Sequence, residues 1–308
     1  MVKLTKDQIV ERLTADGFAF ARLEVVEESE CSVEDAFWNY RDLGHYNVVH
    51  AARDGSRIHY NPVSGDDLSY ILVKRPLGLP WPIAATTYAL DDRTLTTFST
   101  IFCFVLIGET RFQETGRGCR VVSVYEIGSP KILRWALPII RRLLERDHHS
   151  LMREDLPMRE RRGKLRSWGF GFRSDGALSG EATLDLSASH VEPPIGGGEN
   201  AACVALDEVL PRDGEALVGR DDHLGLRLVR RGRHLLVYPR LCPHEGASLD
   251  PAPCRGRTIH CPWHGRAFAP LAEFALDSPE ERQAETSWSR ITLRGRTLEI
   301  RAKRPVDA

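Results

Sequence analysis

The sequence predicts two domains: an α+β domain in which an antiparallel sheet curls around a long helix, then a small all-β domain. Three observations carry this expectation. The stretch Ser187–Asn200, SASHVEPPIGGGEN, places two prolines before three glycines with few large apolar residues, the composition of an exposed joint. Before the joint, a run of strand-like segments lies between short N-terminal helices and one long helical segment. After it, helical periodicity nearly disappears. The expected division is residues 1–187, a linker at 188–200 and residues 201–308, both halves of ordinary domain size.

Taken in order, Lys6–Thr14 has a short helical pattern and Phe18–Val26 alternates as a strand. Ser32, with Asp35 three residues on, has the form of a capping box opening a helix that carries Ala36, Phe37 and Tyr40. Strand runs follow at Arg57–Tyr60, Leu68–Lys74, Ala84–Leu90, Leu95–Phe104, Thr110–Glu114 and Arg120–Ile127. A helical segment from about Lys131 to Lys164 closes the first half, interrupted by Pro138 and Pro157. Its apolar beginning, Lys131–Arg146, reads as a buried helix end, with contact to a membrane surface or a lid as the alternatives. Arg141, Arg142, Arg153, Arg159, Arg161, Arg162 and Lys164 give it a basic face expected to be solvated. The second half offers strands at Cys203–Val209, Ala216–Gly219, Gly225–Val229, His234–Tyr238, Arg257–His260, Arg290–Leu293 and Thr297–Arg301.

Composition narrows the function classes. Forty-two basic residues balance 43 acidic ones, a net charge of −1, so the basic footprint of a nucleic-acid binder is missing. The longest clean apolar run, Ile101–Gly108, is far short of the ~20 residues of a membrane span. The opening MVKLTKDQIVERL is charged throughout and lacks the apolar centre of a secretory leader. Seven scattered cysteines do not make a disulfide framework, and a reducing cytoplasm is the expected location.

Two segments dominate the chemistry. Leu241-Cys242-Pro243-His244-Glu245-Gly246 and His260-Cys261-Pro262-Trp263-His264-Gly265 together read C-x-H, a gap of sixteen residues, then C-x-x-H. Two thiolates and two imidazoles suit zinc or iron–sulfur chemistry. The one-residue gap in the first pair and the lack of a zinc-finger helix count against a Cys2His2 zinc site. The motif resembles the Rieske iron–sulfur family. That resemblance implies a 2Fe-2S cluster, with Cys242 and Cys261 on one iron and His244 and His264 on the other. Neither pair carries the extra cysteine of the respiratory-complex type, so the domain resembles the oxygenase and ferredoxin type. Cys31, Cys103, Cys119, Cys203 and Cys254 are expected to be buried small hydrophobes.

A second constellation lies at Asp42-Leu43-Gly44-His45 and His50, which reads D-x-x-H-x-x-x-x-H. This spacing resembles the mononuclear iron site of Rieske non-haem oxygenases, in which two histidines and a carboxylate leave positions open for O2. The resemblance implies Fe(II) on His45 and His50, and Asp42 as an electron-transfer bridge to the Rieske domain of a neighbouring subunit in a homotrimer. The carboxylate is expected on the closing helix. Asp155 shares a face there with Leu144, His148, Leu151, Met152 and Met158, where a carboxylate is costly unless paired or metal-bound. Asp147 and Glu154 are the alternatives, although Glu154, about 100° round the helix, can reach solvent.

The order of elements in the first half resembles the helix-grip fold of the START and polyketide-cyclase superfamily, which encloses an apolar cavity. The implied activity is oxygenation: O2 and externally supplied electrons hydroxylate, demethylate or desaturate a hydrophobic or aromatic small molecule. No nucleotide or flavin fingerprint is present, so a separate reductase or ferredoxin must supply the electrons. The chain reverses the domain order usual in that family, and its His45-to-Asp155 separation is shorter than usual. The alternative is a ligand-binding helix-grip domain fused to a Rieske ferredoxin-type carrier without a mononuclear iron.

Overall fold

The computed structural model describes residues 4–51, 55–62, 68–74, 79–172, 191–192, 201–221, 225–277, 281–285 and 289–303. The expected linker lies outside the described residues apart from Val191 and Glu192. The chain divides into two compact units, Met1–Lys164 with Ser174–Ala188, and Leu165–Arg173 with Ser189–Ala308.

In the first unit, helix α1 (Lys6–Ala15) opens on a capping box between Thr5 and Gln8. Strand β1 (Phe18–Ser29) leads to α2 (Val33–Arg41), where Ser32 Oγ accepts from the Asp35 N–H at 3.2 Å. Then come β2 (Arg57–Pro62), β3 (Leu68–Lys74), β4 (Trp81–Asp91), β5 (Thr94–Ile101), β6 (Phe104–Thr115) and β7 (Gly118–Pro130). A 3-10 segment (Lys131–Ala136) feeds α3 (Leu137–Ser167). The sheet is antiparallel in the order β1-β7-β6-β5-β4-β3-β2. Pairing the first strand with the last curls the sheet, and the long helix follows its final strand. This is the helix-grip arrangement.

Alternation decides which face is inside. On β6, Thr110 and Phe112 are buried while Arg111 and Gln113 are exposed. The inward residues Phe112, Val121 and Leu95 pack against Phe37 and Ala36 of α2. Leu23, Val25 and Ile127 pack with Leu137 of α3. Gly163 lets α3 approach the β1–α2 turn backbone to backbone, because a Cβ there would lie 2.6 Å from the Glu30 carbonyl oxygen.

Several local expectations change. The run Leu95–Phe104 is two strands joined by a tight turn at Phe102-Cys103. The helix continues through Pro157, which is exposed along with Arg153 one turn back, so the carbonyl left without a donor can face water. Arg159 and Arg162 are fully buried rather than solvated. Cys103 and Cys203 are exposed and Cys254 is half-buried, whereas Cys31 and Cys119 are buried as expected.

The second unit is all-β apart from the end of α3 and a short turn of helix. Two four-stranded sheets enclose its core. One runs β10 (Ala201–Ala205), β20 (Thr297–Ala302), β19 (Ser289–Arg294), β18 (Arg282–Glu285). The other runs β11 (Gly214–Val218), β12 (Leu226–Arg231), β13 (His234–Pro239), β17 (Ala272–Ala275). Leu226, Leu228, Leu235, Val237, Ile291 and Ile300 interdigitate between them. The expected strand Cys203–Val209 stops at Ala205, and Leu206–Val209 turns helical. A smaller sheet, β14 (Cys254–Arg255), β15 (Thr258–His260) and β16 (Ala267–Phe268), carries one cysteine loop. Behind the other loop, β8 (Gly171–Phe172) pairs with β9 (Val191–Glu192). Leu165, Phe170, Phe172, Val191 and Leu241 form one buried cluster, which is why Leu165–Arg173 belongs to this unit.

Candidate metal centres

The two cysteine loops share one frame. In the first, the Cys242 N–H donates to the Ala247 carbonyl (2.9 Å) and the Gly246 N–H to the Cys242 carbonyl (3.0 Å). In the second, the Cys261 N–H donates to the Arg266 carbonyl and the Gly265 N–H to the Cys261 carbonyl, both at 2.8 Å. Bridges Leu241↔Ser248 and His260↔Ala267 close the loops at equivalent positions. Both glycines have positive φ, 84° at Gly246 and 68° at Gly265, a conformation that side chains disfavour.

The frame places Cys242 and Cys261 at the buried base. The His244 and His264 rings lie edge to face with centroids 4.8 Å apart, and His264 is only half-buried. The Cys261 thiol is pulled down by the Cys242 thiol beside it, with burial opposing and His264 helping, so the first proton leaves the pair readily. Thiolate is the form that binds iron. Among the described residues, one group of three His, Cys, Asp or Glu places its donor atoms within 4.8 Å of one another, and these four residues do not supply it. Two neighbouring thiols at the buried base and two imidazoles packed edge to face fit the two-thiolate, two-imidazole ligand set of a two-iron cluster.

Residues 201–287 match the profile of the Rieske 2Fe-2S domain family. This segment is a Rieske domain. Such domains serve in electron transfer and in oxygenases. Among curated proteins, none matches the chain. Among solved structures, the chain is similar to the di-domain ARO/CYC StfQ from the steffimycin biosynthetic pathway, at 14% identity and a TM-score of 0.39. That match covers 53% of this chain and 56% of StfQ, so the chain spans little more than half of StfQ's length. TTHA0849 from Thermus thermophilus is similar at 17% identity and a TM-score of 0.37, over 48% of this chain and 99% of that one. Norcoclaurine synthase from Thalictrum flavum, in complex with dopamine and hydroxybenzaldehyde, is similar at 14% identity and a TM-score of 0.35, over 45% and 86%.

The group with donors within 4.8 Å is His45, His50 and Asp155, all buried in the first unit. His45 Nε2 and His50 Nε2 are 3.1 Å apart. Asp155 Oδ1 is 3.4 Å from the first and 3.1 Å from the second. Three ligands on one face of an octahedron with bonds of about 2.1 Å stand about 3.0 Å apart, so this triangle fits a single transition-metal ion.

Local structure builds the triangle. Helix α2 ends at Arg41, and Asp42 Oδ1 accepts from the Gly44 N–H at 3.1 Å, turning the chain into a 3-10 segment, His45–Asn47. The Asn47 amide donates to the Ile58 carbonyl (2.9 Å) and accepts from the Ile58 N–H (2.7 Å), fastening the loop to β2 between the two histidines. Asp155 comes from α3. Buried pairs hold α3 to the α2 region: Arg159 Nε donates to Asn39 Oδ1 (2.7 Å) and Arg162 Nε to Asp35 Oδ1 (2.8 Å).

Each histidine turns its other nitrogen to a carboxylate. His50 Nδ1 lies 2.5 Å from Glu154 Oε2, and His45 Nδ1 lies 3.3 Å from Asp42 Oδ2. The hydrogen bond to Glu154 fixes the His50 ring and raises its basicity as a ligand, while Asp42 places a negative charge beside the His45 ring. Burial disfavours charge on His45, but Asp155 and Asp42 outweigh it and push its pKa up to about 10. Burial also opposes charge on Asp155, and the two histidines still hold it far below the usual carboxylate range. The pocket thus stabilises positive charge at its centre, as a cation site must.

Of the alternative carboxylates, Asp147 pairs with Lys74, away from the triangle, and Glu154 backs His50 instead of joining it. Sequence reasoning did not assign Asn47 or the Glu154–His50 contact. An amide lying between two metal-spaced histidines was the available signal for the first. Of the neighbouring pair His148 and His149, His148 is buried against Glu27 and His149 is exposed.

Proposed function

We propose that the chain is a Rieske-type non-haem iron oxygenase with the helix-grip domain first and the Rieske domain second. The observation that carries this reading is the His45–His50–Asp155 triangle, carboxylate-backed on both histidines, in the same chain as a Rieske domain. Fe(II) on these three residues would supply O2 activation, and the 2Fe-2S cluster on Cys242, His244, Cys261 and His264 would supply single electrons.

The residues do the following. Glu154 holds the His50 Nδ1 and Asp42 stands 3.3 Å from the His45 Nδ1, and both Nε2 atoms face one point. Asp155 adds a negative charge there, and burial keeps competing water out. Asp42, in contact with His45, would serve as the electron-transfer bridge in a homotrimer whose neighbouring chain presents its Rieske domain. A separate reductase or ferredoxin would supply electrons to the cluster held by Cys242, His244, Cys261 and His264. Leu43, Tyr46, Ile58 and Leu68, with Leu72 and Leu151 packed against them, make an apolar wall beside the triangle. The substrate is accordingly a hydrophobic or aromatic small molecule, hydroxylated, demethylated or desaturated.

The test is iron and acid-labile sulfide per chain in protein purified without air. About three iron and two sulfide are expected. His45→Ala and Asp155→Ala should lower iron to about two with sulfide unchanged. Two iron and two sulfide in the parent protein, unchanged after ferrous iron is added back, would overturn the reading in favour of a ligand-binding domain fused to an electron carrier.

A further inference from the structure

The start of α3 is apolar on two sides, and only one side is packed. Leu137, Ile140 and Leu144 face the sheet in the cluster with Leu23, Val25 and Ile127. On the other side Ile132, Trp135, Ile139 and Leu143 are 83, 67, 55 and 59% exposed. Their spacing of three, four and four residues keeps them on one stripe, since i and i+3 eclipse in the 3-10 segment and i and i+4 align in the α-helix. A helix apolar all round is normally covered all round.

A second apolar element stands at the same end of the sheet. Thr100 pairs with Val105, and Val105 with Gly128, so the Phe102-Cys103 turn projects from the end where β7 passes into Lys131. Phe102 is 78% exposed, and Trp81, at the start of β4, stacks edge to face on it at 5.1 Å. Phe102 holds φ at 52°, the sole positive φ of a non-glycine residue among those described. A bulky residue is disfavoured in that conformation, yet here it carries a ring into solvent.

Charge identifies what covers this end. Lys131–Arg146 contains Lys131, Arg134, Arg141, Arg142 and Arg146 against Glu145 alone, a local charge of +4 in a chain whose net charge is −1. Among the described residues, Arg134, Arg141 and Arg142 make no ion pair and are exposed. Large apolar side chains with tryptophan among them, flanked by arginines without acidic partners, match an interfacial element on an anionic bilayer. Among the described residues no helix is long and apolar enough to cross a membrane, so the contact would be peripheral.

We infer that Phe102 and the Ile132–Leu143 stripe form a docking surface for an anionic lipid membrane. The inference is independent of the iron sites. The experiment is co-sedimentation of the full chain with equimolar phosphatidylcholine–phosphatidylserine vesicles and with phosphatidylcholine vesicles alone. Binding is expected to the anionic vesicles, weakened by salt, and lowered about tenfold or more by Trp135→Glu. The pair Arg141→Glu and Arg142→Glu, which leaves the apolar stripe intact, should lower it similarly. Cluster absorbance and melting midpoint show that each variant is folded. Failure of the parent protein to bind anionic vesicles, or equal binding by folded variants, overturns the inference. So does a concentration-dependent dimer that Trp135→Glu dissociates, because a second copy would then be the occupant.

Discussion

Replacing Arg162 with methionine should destabilise the first unit severely while leaving the Rieske domain intact. Arg162 and Asp35 are both fully buried, with Nε 2.8 Å from Oδ1. The guanidinium also lies 4.0 Å from the centre of the Trp38 ring. Removing one member of a buried ion pair leaves the other charge in a poor solvent, at a cost of about 3–5 kcal/mol. Lost contact with the ring adds about 1 kcal/mol. Whole domains hold only about 5–15 kcal/mol, so the unit's melting midpoint should fall by roughly 10 °C or more. Asp35→Leu combined with Arg162→Met removes both charges and should recover much of the loss, with a coupling energy of about 2 kcal/mol. Calorimetry reads the first unit, and the visible absorbance of the cluster reads the second separately. A cost below about 1 kcal/mol for Arg162→Met, or single costs that simply add in the double variant, would refute the buried-charge argument.

Three further outcomes follow from the same geometry. Glu154→Gln should weaken binding of a divalent transition metal at the His45 site by about 10–100-fold, measured by equilibrium dialysis, because it loosens His50 without removing a ligand. Asn47→Ala breaks both bonds to Ile58 and should cost about 1–3 kcal/mol, with iron occupancy of the first unit falling while sulfide stays constant. Glu27 is opposed by burial but held below its ordinary pKa by His148 and Arg159, so it adds stability above the unfolded pKa that is lost as pH falls through the folded one. Melting midpoints from neutral to acidic pH should fall less steeply in Glu27→Gln; equal slopes would remove Glu27 from the acid response.

What the sequence disclosed followed the range of the forces involved. The Cys242 and Cys261 loops were legible because ligands, prolines and glycines lie within six residues of one another. The His45 and His50 spacing was legible for the same reason, and Asp155 because a carboxylate in an apolar stripe is conspicuous. Arg159 and Arg162 were not, since their burial depends on Glu27, Asp35 and Asn39, more than a hundred residues away. The Phe102 turn was hidden because neither Phe102 nor Cys103 is a turn-forming residue, and the apolar run around them mimics one continuous strand. Pro157 reads as a break until the helix shows its solvent side there.

The frame of the two cysteine loops is built from main chain. Each is closed by main-chain bonds at matching positions, and none of those bonds uses the side chain two or three places after the cysteine. In one loop the imidazole occupies the second place, in the other the third. Ligand chemistry is therefore separable from scaffold, and the site is a socket whose contacts can be exchanged. Cysteine at positions 244 and 264 would offer four thiolates from the same backbone. Ferredoxins with four thiolates work near −400 mV, whereas Rieske centres span about −150 to +300 mV. A few hundred millivolts of driving force thus separate two proteins that could share every main-chain atom of this hairpin pair.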